Sequence, residues 1–379
     1  METGGVMKIG LLGHGVVGRG VTEIIDGHFP EITVPSILVK DLSEGNDPRY
    51  TTDAYQILND PGIDTVIECM GGIEPAFTYV RTALENGKHA VTSNKKMLAH
   101  HLKELAETAE ANHRSLRFEA SCGGCIPWIH ELERTRRIDQ ITSFRGIMNG
   151  TTNYILSDMT GSGADFNETL KEAQKLGYAE ADPSDDIDGN DAAYKCCISA
   201  FSAFHKAVSP DDVPHFGIRH LKKDDIAYAK ANGRVIKLIG RGCLNEGRLS
   251  VWVMPVMLKG DDPMSLVSSN LNRIELSCRT LGTASFGGQG AGSLPTAHAV
   301  VQDVLSIADS GIPETWEASD NHIEAVRGTY YVSGRDLSLF EPVSAEYHDG
   351  WLLTHEMSLQ ELSALMQNSQ DVFVCEVSR

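Results

Sequence analysis

The chain has 379 residues, with 33 Lys and Arg against 52 Asp and Glu, a formal net charge of −19. That charge argues against nucleic acid and anionic membranes as partners, and no apolar run approaches the length of a membrane span. Met1-Glu2-Thr3-Gly4-Gly5 lacks a basic n-region, so no signal peptide is expected, and eight cysteines without regular spacing point to reduced thiols in a cytoplasm.

A chain this long holds two or more domains. Met7 to Leu12 reads as a short buried strand, followed by Gly13-His-Gly-Val-Val-Gly18 and an apolar-periodic helix through Val21, Ile24 and Ile25. This is GxGxxG between a strand and a helix. Glycines there allow a tight turn and close backbone approach, and the helix N-terminus faces a pyrophosphate. Gly13, Gly15, Val16, Val17 and Gly18 are the candidate cofactor contacts; the competing reading is a glycine turn that binds no nucleotide. The next strand, Ser36 to Val39, ends in Lys40-Asp41. Asp41 favours NAD through the ribose diol and Lys40 favours NADP through a 2′-phosphate, so the choice stays open. Thr65 to Met70 is a strand ending in Gly71-Gly72, with Gly71 a further cofactor candidate. Glu74 to Asn86 is a helix stopped by Gly87, and His89 to Thr92 is a strand followed by Ser93-Asn94-Lys95-Lys96. Ligands of open α/β sheets bind beyond the carboxyl ends of strands, which puts Lys95 or Lys96 in the cofactor–substrate crevice. The alternative is a solvated lysine pair opening the helix from Met97 to Asn112. Leu116 to Glu119 is a strand leading into Ala120-Ser-Cys-Gly-Gly-Cys-Ile126-Pro. Carbonyls of such a turn beside a carboxylate suit a small hard cation. Cys122 and Cys125 have CxxC spacing, but a zinc or dithiol role needs partners the sequence does not assemble.

From Asp139 the character changes. Ile141 to Asn149 reads as a strand and Gly150-Thr-Thr-Asn-Tyr as the start of a helix. Its hydroxyls and N–H groups suit a carboxylate of a ligand, and the simpler reading is N-capping by Thr151 or Thr152. Phe166 to Leu176 is a helix, and Gly177 to Lys195 follows with Glu180, Asp182, Asp185, Asp186, Asp188 and Asp191. Pro183 and Gly189 keep this stretch from being one helix. Helix resumes near Asp191, which puts Asp191 and Lys195 on one face. The carboxylates suit an ammonium group, and the lysine suits proton exchange with a hydroxyl or carbonyl. A solvated acidic loop with a surface ion pair is the competing reading. Arg234 to Cys243, Leu249 to Leu258 and Arg273 to Gly282 read as strands of an antiparallel sheet covered by helices. Gly287 to Gly292 is a second glycine cluster, and Thr296 to Ala308 a helix that returns to the nucleotide domain. After Gly311 the pattern weakens to strands at Thr329 to Val332, Trp351 to Thr354 and Asp371 to Val377, with a helix from Ser358 to Met366.

Seven blocks in this order resemble homoserine dehydrogenase: Gly13 to Gly18, Glu68 to Pro75, Thr92 to Lys95, Glu119 to Pro127, Gly146 to Asn153, Gly177 to Lys195 and Gly290 to Thr296. The resemblance implies NAD- or NADP-dependent interconversion of L-homoserine and L-aspartate 4-semialdehyde in threonine and methionine biosynthesis. It implies that Gly13, Gly15, Gly18 and Gly292 touch the dinucleotide, that Lys95 stands at the cofactor–substrate junction, and that Glu180 and Asp191, with Asp186 beside them, bind substrate near Gly150 and Thr151. It implies Lys195 as proton donor, a sodium ion held by Glu119 with the carbonyls of Cys122, Gly124 and Ile126, and a homodimer. The expected fold is α/β. A Rossmann-type domain covers 1–137 with a return helix over 293–318, an α+β catalytic and dimerisation domain covers 138–292, and 319–379 is a short appendage, at most a degenerate ACT-like unit. Two other readings are a relative acting on another amino-acid semialdehyde or hydroxy acid, and a nucleotide-binding sensor without catalysis. Retention of Lys95, Glu180, Asp191 and Lys195 argues against the sensor.

Overall fold

The structure is a computed structural model that describes residues 7–307 and 317–378. It divides into two compact units, the first built from 7–134, 205–207, 291–307 and 317–318, the second from 135–204, 208–290 and 319–378. The first boundary thus falls three residues before the expected 137/138. Among the described residues no helix is long and apolar enough to cross a membrane.

Unit 1 is a six-stranded parallel sheet in the order Tyr50–Thr51, Ile32–Leu38, Met7–Leu12, Thr65–Glu68, His89–Thr92 and Leu116–Arg117. Its central strands are runs of aliphatic residues because both faces are covered; Ile9, Leu11, Leu12, Val66, Ile67 and Val91 are fully buried. The strand order reverses beside Met7–Leu12, which is where a doubly wound sheet opens its ligand crevice. The return helix, Ser293–Ile307, packs on the glycine-loop helix Val16–His28. Ala297, Val300, Val301 and Val304 share a core cluster with Val21 and Ile25. Gly20 permits this crossing, since a Cβ there would lie 2.9 Å from Ala297 Cβ. Ser293 Oγ donates to the Val16 carbonyl at 2.6 Å. The expected helix to residue 318 is described to Ile307, and 308–316 lie outside the described residues.

Unit 2 is a nine-stranded mixed sheet in the order Gly282–Gln289, Leu271–Cys278, Ile141–Ile147, Arg234–Asn245, Arg248–Lys259, Val372–Val377, Tyr330–Gly334, Trp351–Thr354 and Ser344–His348. The three expected strands are present, and a fourth appears where a glycine turn was expected. Gly282–Gln289 is an edge strand whose side chains alternate between exposed and half-buried, so glycines at 287 and 288 cost little packing there. Helices Gly150–Ser162, Asn190–Phe204 and Lys223–Ala231 lie against Arg234–Asn245. The segment expected as an appendage continues this same sheet. Leu359 and Leu362 of helix Leu359–Gln367 join Val256, Leu258, Val332 and Leu352 in one core cluster.

A buried lysine fastens helix Gly150–Ser162 to the sheet. Lys237 Nζ donates to Asn153 Oδ1 at 2.8 Å, Ser157 Oγ at 3.1 Å and the Val267 carbonyl at 2.6 Å. All three acceptors are neutral, and burial pushes the ammonium down to about 8. The unfolded value is about 10.4, so between those values the unfolded chain binds more protons and stability rises with pH. Lys237→Met removes this contribution and strips three acceptors. It is expected to lower the unfolding midpoint at pH 7. The gap from wild type should then widen by on the order of 1 kcal/mol per pH unit above about pH 8. Denaturant titrations at pH 7, 8.5 and 10 check it; a constant gap refutes the assignment.

Candidate active site

In unit 1 the glycine loop is built by close approach. Gly13 has φ +98°, and a Cβ on Gly18 would lie 2.1 Å from the Gly13 carbonyl oxygen. Gly15 is the opposite case: nothing lies within 4 Å of a Cβ there. Gly15 is also the N-cap of Val16–His28, and no side chain caps that first turn. Val16 is exposed and Val17 half-buried. His14 ties the loop down, with Nδ1 2.8 Å from the Tyr50 hydroxyl and Nε2 3.0 Å from Thr22 Oγ1. Beyond strand Ile32–Leu38, Lys40 is exposed. The Asp41 carboxylate accepts from Ser43 N at 2.8 Å, capping a short 3-10 turn, while Glu44 accepts from the Lys40 N–H at 3.0 Å.

Glu68, fully buried at the end of its strand, organises the neighbouring turns and was not singled out from sequence. It accepts from Thr92 Oγ1 at 2.6 Å, Met70 N at 2.7 Å and Gly71 N at 3.4 Å, and burial pushes its carboxyl up. Gly71 has φ +81° with open space around a Cβ. Asn94 caps helix Lys95–Ala111 through Met97 N at 3.1 Å and donates to the Gly72 carbonyl at 2.7 Å. Lys95 and Lys96 are therefore half-buried residues of a capped first turn. Gly292, at φ +129°, immediately precedes the return helix.

The expected strand end at Glu119 is a 3-10 turn, and the Glu119 carboxylate caps helix Trp128–Arg136. Oε1 accepts from Trp128 N at 2.6 Å and Ile129 N at 3.0 Å; Oε2 accepts from His130 N at 2.7 Å and lies 3.0 Å from His130 Nδ1. The Ile126 carbonyl accepts from Trp128 N at 2.7 Å. Gly123 and Gly124 both have positive φ. Cys122 is buried and Cys125 exposed.

Unit 2 brings the acidic stretch into a cluster. Asp191 and Lys195 open helix Asn190–Phe204 on one face, both buried, with Lys195 Nζ 2.7 Å from Asp191 Oδ2 and donating to the Met148 carbonyl at 2.7 Å. Asn149 joins the acids: Nδ2 donates to Asp186 Oδ1 at 2.6 Å and Asp191 Oδ2 at 2.8 Å, while its Oδ1 caps helix Gly150–Ser162 through Thr152 N at 2.8 Å. So Asn149, not Thr151 or Thr152, is the cap. Thr151 Oγ1 donates to the Tyr178 carbonyl at 2.6 Å. Gly150 sits where a Cβ would come 2.8 Å from the Asn270 carbonyl oxygen. Burial, then the Asp191 charge, pushes the Asp186 carboxyl up; Asn149, Thr151 and Lys195 oppose this. The fold thus gathers two carboxylates, one amide and one ammonium into a single contiguous group. Glu180 is exposed, and among the described residues its carboxylate makes no hydrogen bond or ion pair. A separate cavity of about 220 Å³, lined by Arg145, Arg241, Trp252 and Glu275 among others, holds none of these acids.

Residues 127–305 match the family model described as homoserine dehydrogenase, and 13–119 match the homoserine dehydrogenase NAD-binding domain. A homoserine dehydrogenase of Synechocystis is 43% identical over 316 residues, which is 79% of this chain and 73% of that protein. The chain belongs to the homoserine dehydrogenase family. A homoserine dehydrogenase crystal structure from Thiobacillus denitrificans superposes with a TM-score of 0.86 at 30% identity, covering 98% of each chain. A hyperthermophilic archaeal homoserine dehydrogenase mutant in complex with NADPH gives 0.70 at 26% identity, covering 81% of this chain and 99% of that one. Homoserine dehydrogenases are nicotinamide-dependent oxidoreductases acting on the homoserine hydroxyl, and the sensor and shifted-substrate readings are not favoured.

Proposed function

We propose that the chain interconverts L-homoserine and L-aspartate 4-semialdehyde. The observation that carries this is the Asn149–Asp186–Asp191–Lys195 cluster. In this reading Asp191 and Asp186 hold the cationic and hydroxyl ends of the amino acid, and Glu180 approaches from the exposed part of the loop. Gly150 and Thr151 face its carboxylate from the helix N-terminus. Lys195 holds a proton for the terminal oxygen, taking it as the alcohol is oxidised and returning it in the reverse direction. Lys95, on its capped turn in unit 1, is the second lysine of the reading, the one the resemblance assigns to the cofactor–substrate junction. Initial rates of homoserine oxidation at alkaline pH, with NAD and NADP run separately, test the proposal. Absence of turnover with both in a folded protein defeats it.

The residues fit a dinucleotide. The uncapped helix start, the open space at Gly15 and the positive-φ Gly71 and Gly292 leave room and N–H donors for a pyrophosphate. When bound, the nicotinamide accepts and returns the hydride. The capping role of Asp41 and the exposure of Lys40 support NADP over NAD, as does the archaeal relative's NADPH. Lys40→Ala is expected to raise KM for NADP about tenfold, the size of a charge-assisted contact, and to leave KM for NAD within about twofold. Equal changes for both cofactors defeat this preference.

Sodium belongs to the proposal through the carbonyls of Cys122, Gly124 and Ile126. The oxygen donors and paired positive-φ glycines support a hard cation there. Glu119 adds negative charge to that turn while already accepting from the helix it caps. A homodimer and a cytoplasmic location complete the reading. Eight cysteines without regular spacing suit a reducing compartment.

A further inference from the structure

We propose that Arg219, which lies outside the acid cluster, is a positioning residue that fixes Asp186 for the substrate's ammonium group; the proposal rests on the amino-acid reading above. Asp186 sits on a single helical turn, Ser184–Ile187, between Pro183 and the left-handed Gly189. One turn has little stability of its own, so its place must be set from outside. The strap from Pro214 to Arg219 does this. Its backbone is tied to strand Arg248–Lys259 by Val253 N to the Pro214 carbonyl at 3.0 Å and Phe216 N to the Val253 carbonyl at 2.9 Å. Ile218 N then donates to the Ile187 carbonyl at 2.7 Å. Contact is close enough that a Cβ on Gly217 would lie 2.0 Å from the Ile187 carbonyl oxygen.

Arg219 closes the strap over the turn at both ends. Nε and Nη2 form a fork on Asp188, each at 2.6 Å, and Nη2 also donates to Ser184 Oγ at 3.1 Å. Ser184 and Asp188 bracket the turn that carries Asp186. A guanidinium holds both through its planar, fixed donors, which an ammonium cannot copy. The pair is part-exposed, so its worth to global stability is small. Its worth to placement is larger, because Asp186 must stay within reach of Asn149 and of the ligand. Asp191 and Lys195 need no such help, being seated on the buried helix Asn190–Phe204.

This division predicts a split in the kinetics. Arg219→Ala is expected to raise KM for homoserine at least about tenfold, the scale of an ångström-level displacement of a binding group. Its kcat should stay within about threefold and KM for NADP within about twofold, because those depend on Lys195 and unit 1. Arg219→Lys should recover only part of the loss, and methylguanidinium should restore part of the affinity of Arg219→Ala. Asp188→Asn should reproduce the effect, and the double variant should be no worse than either single change. Unaltered homoserine KM in both single variants overturns the proposal. So does an equal rise in KM for homoserine and NADP with a lowered unfolding temperature, which marks a merely structural pair. Wild-type enzyme without homoserine turnover overturns the amino-acid reading and this proposal together, and that outcome is recognised before any variant is made.

Discussion

Lys195→Ala is expected to lower kcat for homoserine oxidation at least about 100-fold, the lower bound for losing a general acid–base group. The ammonium sits on the buried face of helix Asn190–Phe204, fixed by the Met148 carbonyl and the Asp191 carboxylate at 2.7 Å each. Such fixed geometry has no replacement in water, since the alanine leaves no group at that point to take up the alcohol's proton. The variant also takes the ammonium away from the buried Asp191 carboxylate, which still accepts from the Asn149 amide. Breaking a buried pair from one side costs about 3–5 kcal/mol, so a lower unfolding midpoint accompanies the rate loss. A far-UV circular dichroism spectrum like wild type at the assay temperature separates the two effects. A wild-type spectrum with wild-type kcat ends the proton-donor role.

Two alanines in the glycine loop should weaken dinucleotide binding alike but differ in stability. Gly15→Ala places its methyl in open space, so the unfolding temperature of the free protein should stay within about 2 °C while dinucleotide affinity falls at least about 100-fold. Gly18→Ala drives a methyl to 2.1 Å from the Gly13 carbonyl oxygen, forcing backbone to move. It should lose affinity to a similar degree and also unfold at lower temperature, with overpacking costing about 1–3 kcal/mol. Calorimetric titration of NADP alongside thermal melts distinguishes them. Unchanged affinity in Gly15→Ala removes the loop from the cofactor site.

Much of this was legible in the residues. Strand, glycine turn and helix at Met7–His28 are a local pattern, and the glycine spacing carries its own steric reason. Asp191 and Lys195 were placed by helical spacing alone, and they meet at 2.7 Å. What escaped was set by tertiary neighbours. Asn149 reads from sequence as the end of a strand; only the fold brings Asp186 and Asp191, 37 and 42 residues away, to one amide. Glu68 reads as part of an apolar strand, and its burial follows from the turns it collects. Gly287 to Gly292 reads as a turn because glycine weakens strand propensity, an argument that loses force at a sheet edge, where strand Gly282–Gln289 takes in the first of these glycines. The tail was read as separate because a short weak pattern hides its partner strands, which lie in the middle of the chain.

The nine-stranded sheet has a consequence for the order in which the chain is made. Val372–Val377 does not lie at an edge. It sits between Arg248–Lys259 and Tyr330–Gly334, pairing Val256 with Glu376 in parallel and Tyr330 with Glu376 antiparallel. Strand Arg248–Lys259, buried at every residue from Leu249 to Leu258 in the finished protein, leaves the ribosome first. Its partner follows more than a hundred residues later, on the order of ten seconds at typical elongation rates. Through that interval the Val256–Met257 end of this apolar strand lacks its partner, and an unpaired edge is the feature that recruits wrong partners. Slowing synthesis downstream of residue 259 lengthens that exposure.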